Sequence, residues 1–211
     1  MCVGVSRFKL SVAFKIRASR YNVKLLGIEN FLREKLFTFY CWFIMRAYMG
    51  LTCKTGCYNK VMQSLTKLDI PNWDIFLLYG PIDVLVKFEG FSNLREFVEK
   101  WFNPVRMVCA EERLIAKTMT YVVVIEGPSY MEEPFAFMFL NVHPRDVELA
   151  QQTLLNNPHV ISADFVFGPC DLIVPVRAKS TVDLERVVSS IHADVSGIEE
   201  AHTTVVAMMR I

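Results

Sequence analysis

The sequence predicts an α+β fold of two βαββαβ repeats, their four-stranded antiparallel sheets packed together as a covalent pseudo-dimer. Three observations carry the expectation. Gly80-Pro81-Ile82-Asp83 recurs 88 residues later as Gly168-Pro169-Cys170-Asp171. Each copy lies between two apolar, strand-like runs: Ile75–Tyr79 and Val84–Phe88, then Phe165–Phe167 and Leu172–Val176. Each is followed by the same helical spacing of apolar residues, Leu94, Phe97, Val98 and Trp101 in one and Leu184, Val187, Val188 and Ile191 in the other. Glycine tolerates unusual dihedrals and proline fixes its own, so Gly-Pro between strands reads as a turn.

Residues 1–44 stand apart as a basic extension. They carry eight Lys/Arg against two Glu, a balance of +6, while the remaining 167 residues carry 15 Lys/Arg against 20 Asp/Glu, or −5. From Tyr21 to Trp42, Leu25, Ile28, Leu32, Leu36 and Phe39 recur at helical spacing and predict one amphipathic helix. It reads as a basic arm for nucleic acid or anionic lipid, as a docking helix, or as a segment translated from an upstream start codon, since Met45 opens the first repeat.

The first repeat spans residues 45–126. A strand over Ile44–Thr52 precedes a helix from Gly56 to Leu68, which Pro71 ends. Strand Trp73–Tyr79, the turn and strand Val84–Phe88 follow, and Ser92 caps the second helix. After a loop through Asn103-Pro104 an apolar strand runs from Arg113 to Ile125. Residues 127–134, rich in Gly, Pro and Glu, form a linker. The second repeat, 135–211, opens with strand Phe135–Val142; Pro144 starts a helix with Val147, Ala150 and Leu154 inward. Strands Ile161–Phe167 and Leu172–Val176 flank the turn, Ser180 to Asp183 reads as a capping box, and the last strand covers Thr203–Arg210. This order is the ferredoxin-like arrangement, with both helices on one face of the sheet. Its other face, with Phe135, Phe137 and Phe139 alternating, is too apolar to stay wet, so the two sheets are expected to pack face to face.

Composition narrows the function classes. At 53% hydrophobic and 21% charged the chain suits packed domains, and the acidic body offers no basic stripe for phosphate backbones. The six cysteines are scattered, and Cys53-x3-Cys57 does not have the spacing of the common zinc sites, so buried thiols in a cytoplasmic protein are expected. The apolar run Leu36–Met45 is too short to cross a bilayer. Four histidines, His143, His159, His192 and His202, show neither metal-ligand spacing nor pairing with a nucleophile, and no phosphate-binding glycine loop is present. No metal, no cofactor and no enzymatic activity are expected from this inventory.

Phe167-Gly168-Pro169-Cys170-Asp171-Leu172-Ile173-Val174 resembles the strand–Gly-x-x-Asp–strand signature of the effector-binding (RAM) domain of Lrp/AsnC transcription regulators. Ser180–Ile191 resembles that domain's second helix, and Gly197-Ile198-Glu199-Glu200-Ala201-His202-Thr203-Thr204 its closing segment, with Ala201 where a threonine is usual. The first repeat keeps Gly80 and Asp83 but reads Glu111-Glu112-Arg113 where the closing threonines would align. The resemblance implies a small effector, usually an amino acid, held near Gly80 and Asp83, near Gly168 and Asp171, and less directly by Thr203. It also implies self-association, or association with Lrp/AsnC-type regulators. The family's helix-turn-helix has no counterpart in residues 1–44, so no sequence-specific DNA binding by this chain alone and no membrane partner are expected. Physically, turn amides can receive a carboxylate and an aspartate an ammonium group. The same aspartates can instead serve only to bond neighbouring backbone amides. Two other readings remain: some ferredoxin-like pseudo-dimers, siroheme decarboxylases among them, handle haem or small aromatics, and a pure assembly partner would bind no ligand.

Overall fold

The computed structural model describes residues 45–111 and 113–207, so the helix expected from Tyr21 to Trp42 lies outside the described residues. The chain runs β1 (Met45–Cys53), α1 (Tyr58–Thr66), β2 (Ile75–Tyr79), β3 (Val84–Phe91), α2 (Leu94–Phe97), α3 (Asn103–Glu111) and β4 (Ile115–Ile125). It continues through β5 (Ala136–Val142), α4 (Val147–Asn156), β6 (Asp164–Phe167), β7 (Leu172–Val176), α5 (Thr181–Asp194) and β8 (Ile198–Val206).

The strands do not form two separate sheets. They close into one antiparallel barrel in the order β1-β3-β2-β8-β5-β7-β6-β4. The expected pair of ferredoxin-like sheets with free edges is therefore corrected, and the reason lies in those edges. A lone sheet leaves a row of unpaired backbone groups on each edge strand, and closure removes them. β4, at 11 residues, serves both halves: from Ile115 to Val122 it pairs with β1, and its far end pairs with β6 through Val122↔Phe167 and Val123↔Val166. At the other seam Leu78 and Tyr79 of β2 meet Val206 and Val205 of β8. The apolar faces expected to press together become the barrel interior.

Strand alternation sorts the core into three parts. Tyr48, Phe76, Leu85, Tyr121, Phe137, Phe139 and Ile173 point inward and fill the interior, as side chains do in a barrel of this strand number. Phe76 and Phe137 meet edge to face, with centroids 4.9 Å apart. On the outside of the first half, Ala47, Met49, Val84 and Val86 pack against Val61 and Leu65 of α1 and Val105 and Cys109 of α3. On the second half, Ala136, Met138, Leu172 and Val174 pack against Ala150 and Leu154 of α4 and Val187 and Ile191 of α5.

Two helix details differ from expectation. Asn93 rather than Ser92 caps α2, its side chain accepting from Glu96 N at 3.0 Å, while Ser92 N and Oγ donate back to Glu96 Oε2 at 2.8 and 2.7 Å. The loop expected at Asn103-Pro104 is helical. A π turn over Val98–Phe102 joins α2 to α3 and shifts the register, which lets a proline enter without facing the carbonyl it would otherwise strike. The second capping box forms as expected, Ser180 Oγ accepting from Asp183 N and Asp183 Oδ2 from Lys179 N. Among the described residues no helix is long and apolar enough to cross a membrane.

Candidate functional site

The two Gly-Pro-x-Asp turns have the same geometry. Asp83 donates its amide to Leu51 O at 3.0 Å, its carbonyl accepts from Leu78 N at 2.8 Å, and its Oδ2 accepts from Cys53 N at 2.6 Å. Asp171 repeats each contact with Leu140 O (2.9 Å), Val166 N (2.8 Å) and Val142 N (2.9 Å). Each carboxylate thus ties its turn to the end of the half's first strand, so the structural role is filled. Oδ1 of each takes no hydrogen bond from the described residues. Both turns are exposed at Gly-Pro and flanked by exposed aromatics, Tyr79 (72%) and Phe167 (79%).

The turn glycines are needed for close approach. A Cβ on Gly80 would lie 2.9 Å from Thr204 Cγ2; one on Gly168 would lie 2.9 Å from Tyr121 Cδ1 and 3.0 Å from Thr120 O. Each turn therefore packs on the closing strand of the other half. This rearranges the expected set: Thr203 is exposed on β8, whose end runs beside β2, so its strand borders the turn of Gly80 and Asp83 in the first half.

A second cluster occupies one end of the barrel interior, where strand alternation turns Arg46 and Tyr48 of β1, Lys87 of β3 and Asp164 of β6 inward. Arg46 Nη1 donates to Asp164 Oδ1 and Oδ2 at 2.7 and 2.8 Å, and its Nε to Glu89 Oε1 at 2.6 Å. Tyr48 Oη donates to Asp164 Oδ2 at 2.5 Å, and Gly127 N to Oδ1 at 2.7 Å. Lys87 Nζ donates to Tyr130 O at 2.8 Å and lies 3.1 Å from Asp74 Oδ1, an ion pair without hydrogen-bond alignment. Arg46, Lys87 and Asp164 are each almost wholly buried.

Burial shifts the cluster's titrations. It pushes the Asp74 carboxyl above its ordinary value despite the pull of Lys87. It pushes the Tyr48 and Tyr130 phenols well above theirs, so both stay protonated at neutral pH. For Arg46 burial acts in the lowering direction, but Asp164, Tyr48 and Glu89 outweigh it and hold the guanidinium charged. None of these residues was singled out from sequence. The available signal was a charge set in an apolar strand: Arg46 alone in Met45–Cys53, Lys87 with Glu89 in Val84–Phe91, and Asp164 before Phe165.

The opposite wall of the same end is apolar: where the first half pairs Tyr48 with Lys87 across β1 and β3, the second half pairs Phe137 with Pro175 across β5 and β7. An iron tetrapyrrole does not fit the interior, which aromatic side chains fill. His143, His192 and His202 are exposed and His159 is half-buried, so none offers an axial ligand there. Among the described residues no group of His, Cys, Asp and Glu is placed to hold a metal ion.

Residues 135–209 match the family model of the Lrp/AsnC ligand binding domain. No curated protein matches the chain. Among solved structures, the siroheme decarboxylase NirDL is similar with a TM-score of 0.55 at 8% identity, over 79% of this chain and 72% of that one. A mutant chlorite dismutase from Candidatus Nitrospira defluvii is similar over 78% of this chain and 90% of that one, at 10% identity and a TM-score of 0.49. A protein from Thermus thermophilus is 26% identical over 36% of this chain and 94% of its own, with a TM-score of 0.33. The likeness to the decarboxylase is one of fold. It overturns the expectation of a non-enzymatic module, because a fold shared with an enzyme over most of the chain gives no ground for excluding catalysis.

Proposed function

We propose, from a second half that carries an Lrp/AsnC ligand-binding domain, that this protein binds a small molecule at its Gly-Pro-x-Asp turns and that binding governs its association with itself or with regulators of that family. The match over residues 135–209, which includes the turn at Gly168 and Asp171, carries the reading. An amino acid suits the turn: Pro169 has no amide and that of Asp171 is taken by Leu140 O, so the Gly168 and Cys170 amides receive its carboxylate and Asp171 Oδ1 its ammonium group. The turn at Gly80 and Asp83 is the second site, and the threonine against it is Thr204, with Thr203 on the opposite face of the strand. Thermal shift against the twenty amino acids tests this, since saturating ligand at a hundred times its Kd stabilises the fold by about 2.7 kcal/mol. A shift that survives in the Asp83→Ala/Asp171→Ala variant, or no shift with any amino acid, refutes it.

A second reading has support over a greater share of the chain: an enzyme handling a tetrapyrrole or a small aromatic. Its support is the fold in common with the siroheme decarboxylase over 79% of the chain. Because the interior offers no axial ligand, the small aromatic is the form of this reading that the residues fit. The buried Tyr48–Asp164–Arg46 chain, with its shifted titrations, is of the kind that active sites hold. Absorbance of the protein titrated with haem separates the forms. A saturable Soret band would favour the tetrapyrrole.

A further inference from the structure

Tyr130 stands out in the segment that crosses from β4 to β5. Along residues 126–133 it is the one buried side chain, 6% exposed, while its neighbour Met131 is 79% exposed. The segment is irregular and lies between Pro128 and Pro134, neither of which has an amide to donate. It drops a single phenol into the polar end of the barrel.

That phenol is a poor match for its surroundings. Tyr48 Oη gives its only proton to Asp164, so toward Tyr130 it can act only as an acceptor. Arg46 and the Gly127 amide fix Asp164 in place, which fixes Tyr48. Tyr130 Oη stops 3.5 Å short of it. A good hydroxyl hydrogen bond spans about 2.7–2.8 Å, so roughly 0.7 Å is missing. The ring is better placed, with Lys87 Nζ 4.2 Å from its centroid. Apart from the buried bond that Lys87 makes to its carbonyl, Tyr130 is flanked by partly exposed pairs, Glu132 with Arg177 and Ser129 with Glu89, and pairs of that kind hold a loop weakly. When Tyr130 leaves, Lys87 loses one carbonyl but keeps Asp74 and Glu89 beside it.

We propose that the chamber filled by Tyr130 is a binding site for a small free phenol, and that residues 128–133, between the fixed Gly127 and the buried Pro134, are a strap whose tyrosine the ligand displaces. The ligand's hydroxyl donates to Tyr48 Oη at full hydrogen-bond distance, and its ring takes the place beneath Lys87. An untethered ring can move the missing fraction of an ångström that the strap's length denies Tyr130. No bond is made or broken, and the inference stands whether or not the site is catalytic. It does not depend on the turns.

The test uses the full chain with 4-methylphenol as probe and toluene as the partner lacking the hydroxyl. Saturation-transfer NMR reads binding, and limited thermolysin cleavage at the strap reads displacement. The wild-type protein is expected to bind 4-methylphenol about fivefold more tightly than toluene, the worth of one hydrogen bond. Strap cleavage is expected to quicken as the phenol saturates. Tyr130→Gly removes a competitor of about millimolar effective concentration and is expected to tighten binding. Tyr48→Phe is expected to erase the preference over toluene. Binding by Tyr130→Gly but not by wild type would make Tyr130 a fixed part of the core and overturn the proposal. So would equal binding of both probes, or wild-type binding with unchanged strap cleavage; these wild-type readings decide it if Tyr130→Gly fails to fold.

Discussion

Replacing Asp164 with alanine removes the carboxylate on which three donors converge inside the barrel: the Arg46 guanidinium, the Tyr48 hydroxyl and the Gly127 amide. A buried ion pair stripped of one partner costs about 3–5 kcal/mol, because the remaining charge stays out of water. Glu89, partly exposed, still takes Arg46 Nε at 2.6 Å, which places the expected loss near the lower figure, about 3 kcal/mol. With a urea dependence of about 1–3 kcal/mol per molar, the unfolding midpoint should fall by about 1–3 M. The companion variant Arg46→Met/Asp164→Leu removes both charges, and apolar replacement of a buried pair is often neutral. Equilibrium urea unfolding followed by near-ultraviolet circular dichroism measures both. An Asp164→Ala midpoint within about 0.3 M of wild type, or a double variant no more stable than the single one, would show that the cluster is not held as an ion pair.

Other outcomes follow from single contacts. Asp74 binds its proton more tightly folded than its ordinary value of 3.8, so the unfolded chain releases it first as pH rises; stability should fall from pH 3.8 upward until the folded carboxyl also ionises, and Asp74→Asn should flatten that part of the urea-midpoint profile. Gly127→Ala puts a Cβ 2.4 Å from Ser162 Oγ and 2.7 Å from Ala163 N, so it should cost about 1–3 kcal/mol in thermal unfolding, and more than Gly80→Ala, whose Cβ meets only the Thr204 side chain. Burial pushes the Cys53 and Cys170 thiols up to about 12, so in the folded protein at pH 8 both should resist a thiolate-seeking reagent and react once urea unfolds the chain, as mass mapping of the labelled peptides will show. Phe137→Ala, in a wholly buried position against Phe76, should cost about 3–5 kcal/mol.

Much of the local structure was legible because short-range chemistry determines it. The turns at Gly80 and Gly168 came from Gly-Pro dihedral limits, and α5 from Ser180, Asp183 and the spacing of Leu184, Val187 and Ile191. The closing of the barrel was not, because pairing of β2 with β8 and of β4 with β6 joins residues far apart in the chain and leaves no periodic mark. The buried cluster was hidden for a related reason. Arg46 and Asp164 are 118 positions apart, and each alone looks like a solvated charge beside a strand. Tyr130 was passed over because Gly, Pro and Glu dominate its segment, and composition speaks for a loop's average rather than for the side chain it inserts. Pro104 misled in the opposite direction: proline ends most helices, but here a π turn makes room for it.

The unequal walls that the two halves give the barrel also decide which halves can marry. Two copies of the first half would bring two Arg46 side chains into one interior with Phe76 where Asp164 should answer them. Two copies of the second would bury Asp164 against phenylalanine, with no cation in reach. Only unlike halves complete the charge. The fusion of the two in one polypeptide is thus more than a tether, since each half carries the lock or the key, and mispairing between neighbouring chains is left one permitted form, a reciprocal exchange of unlike halves.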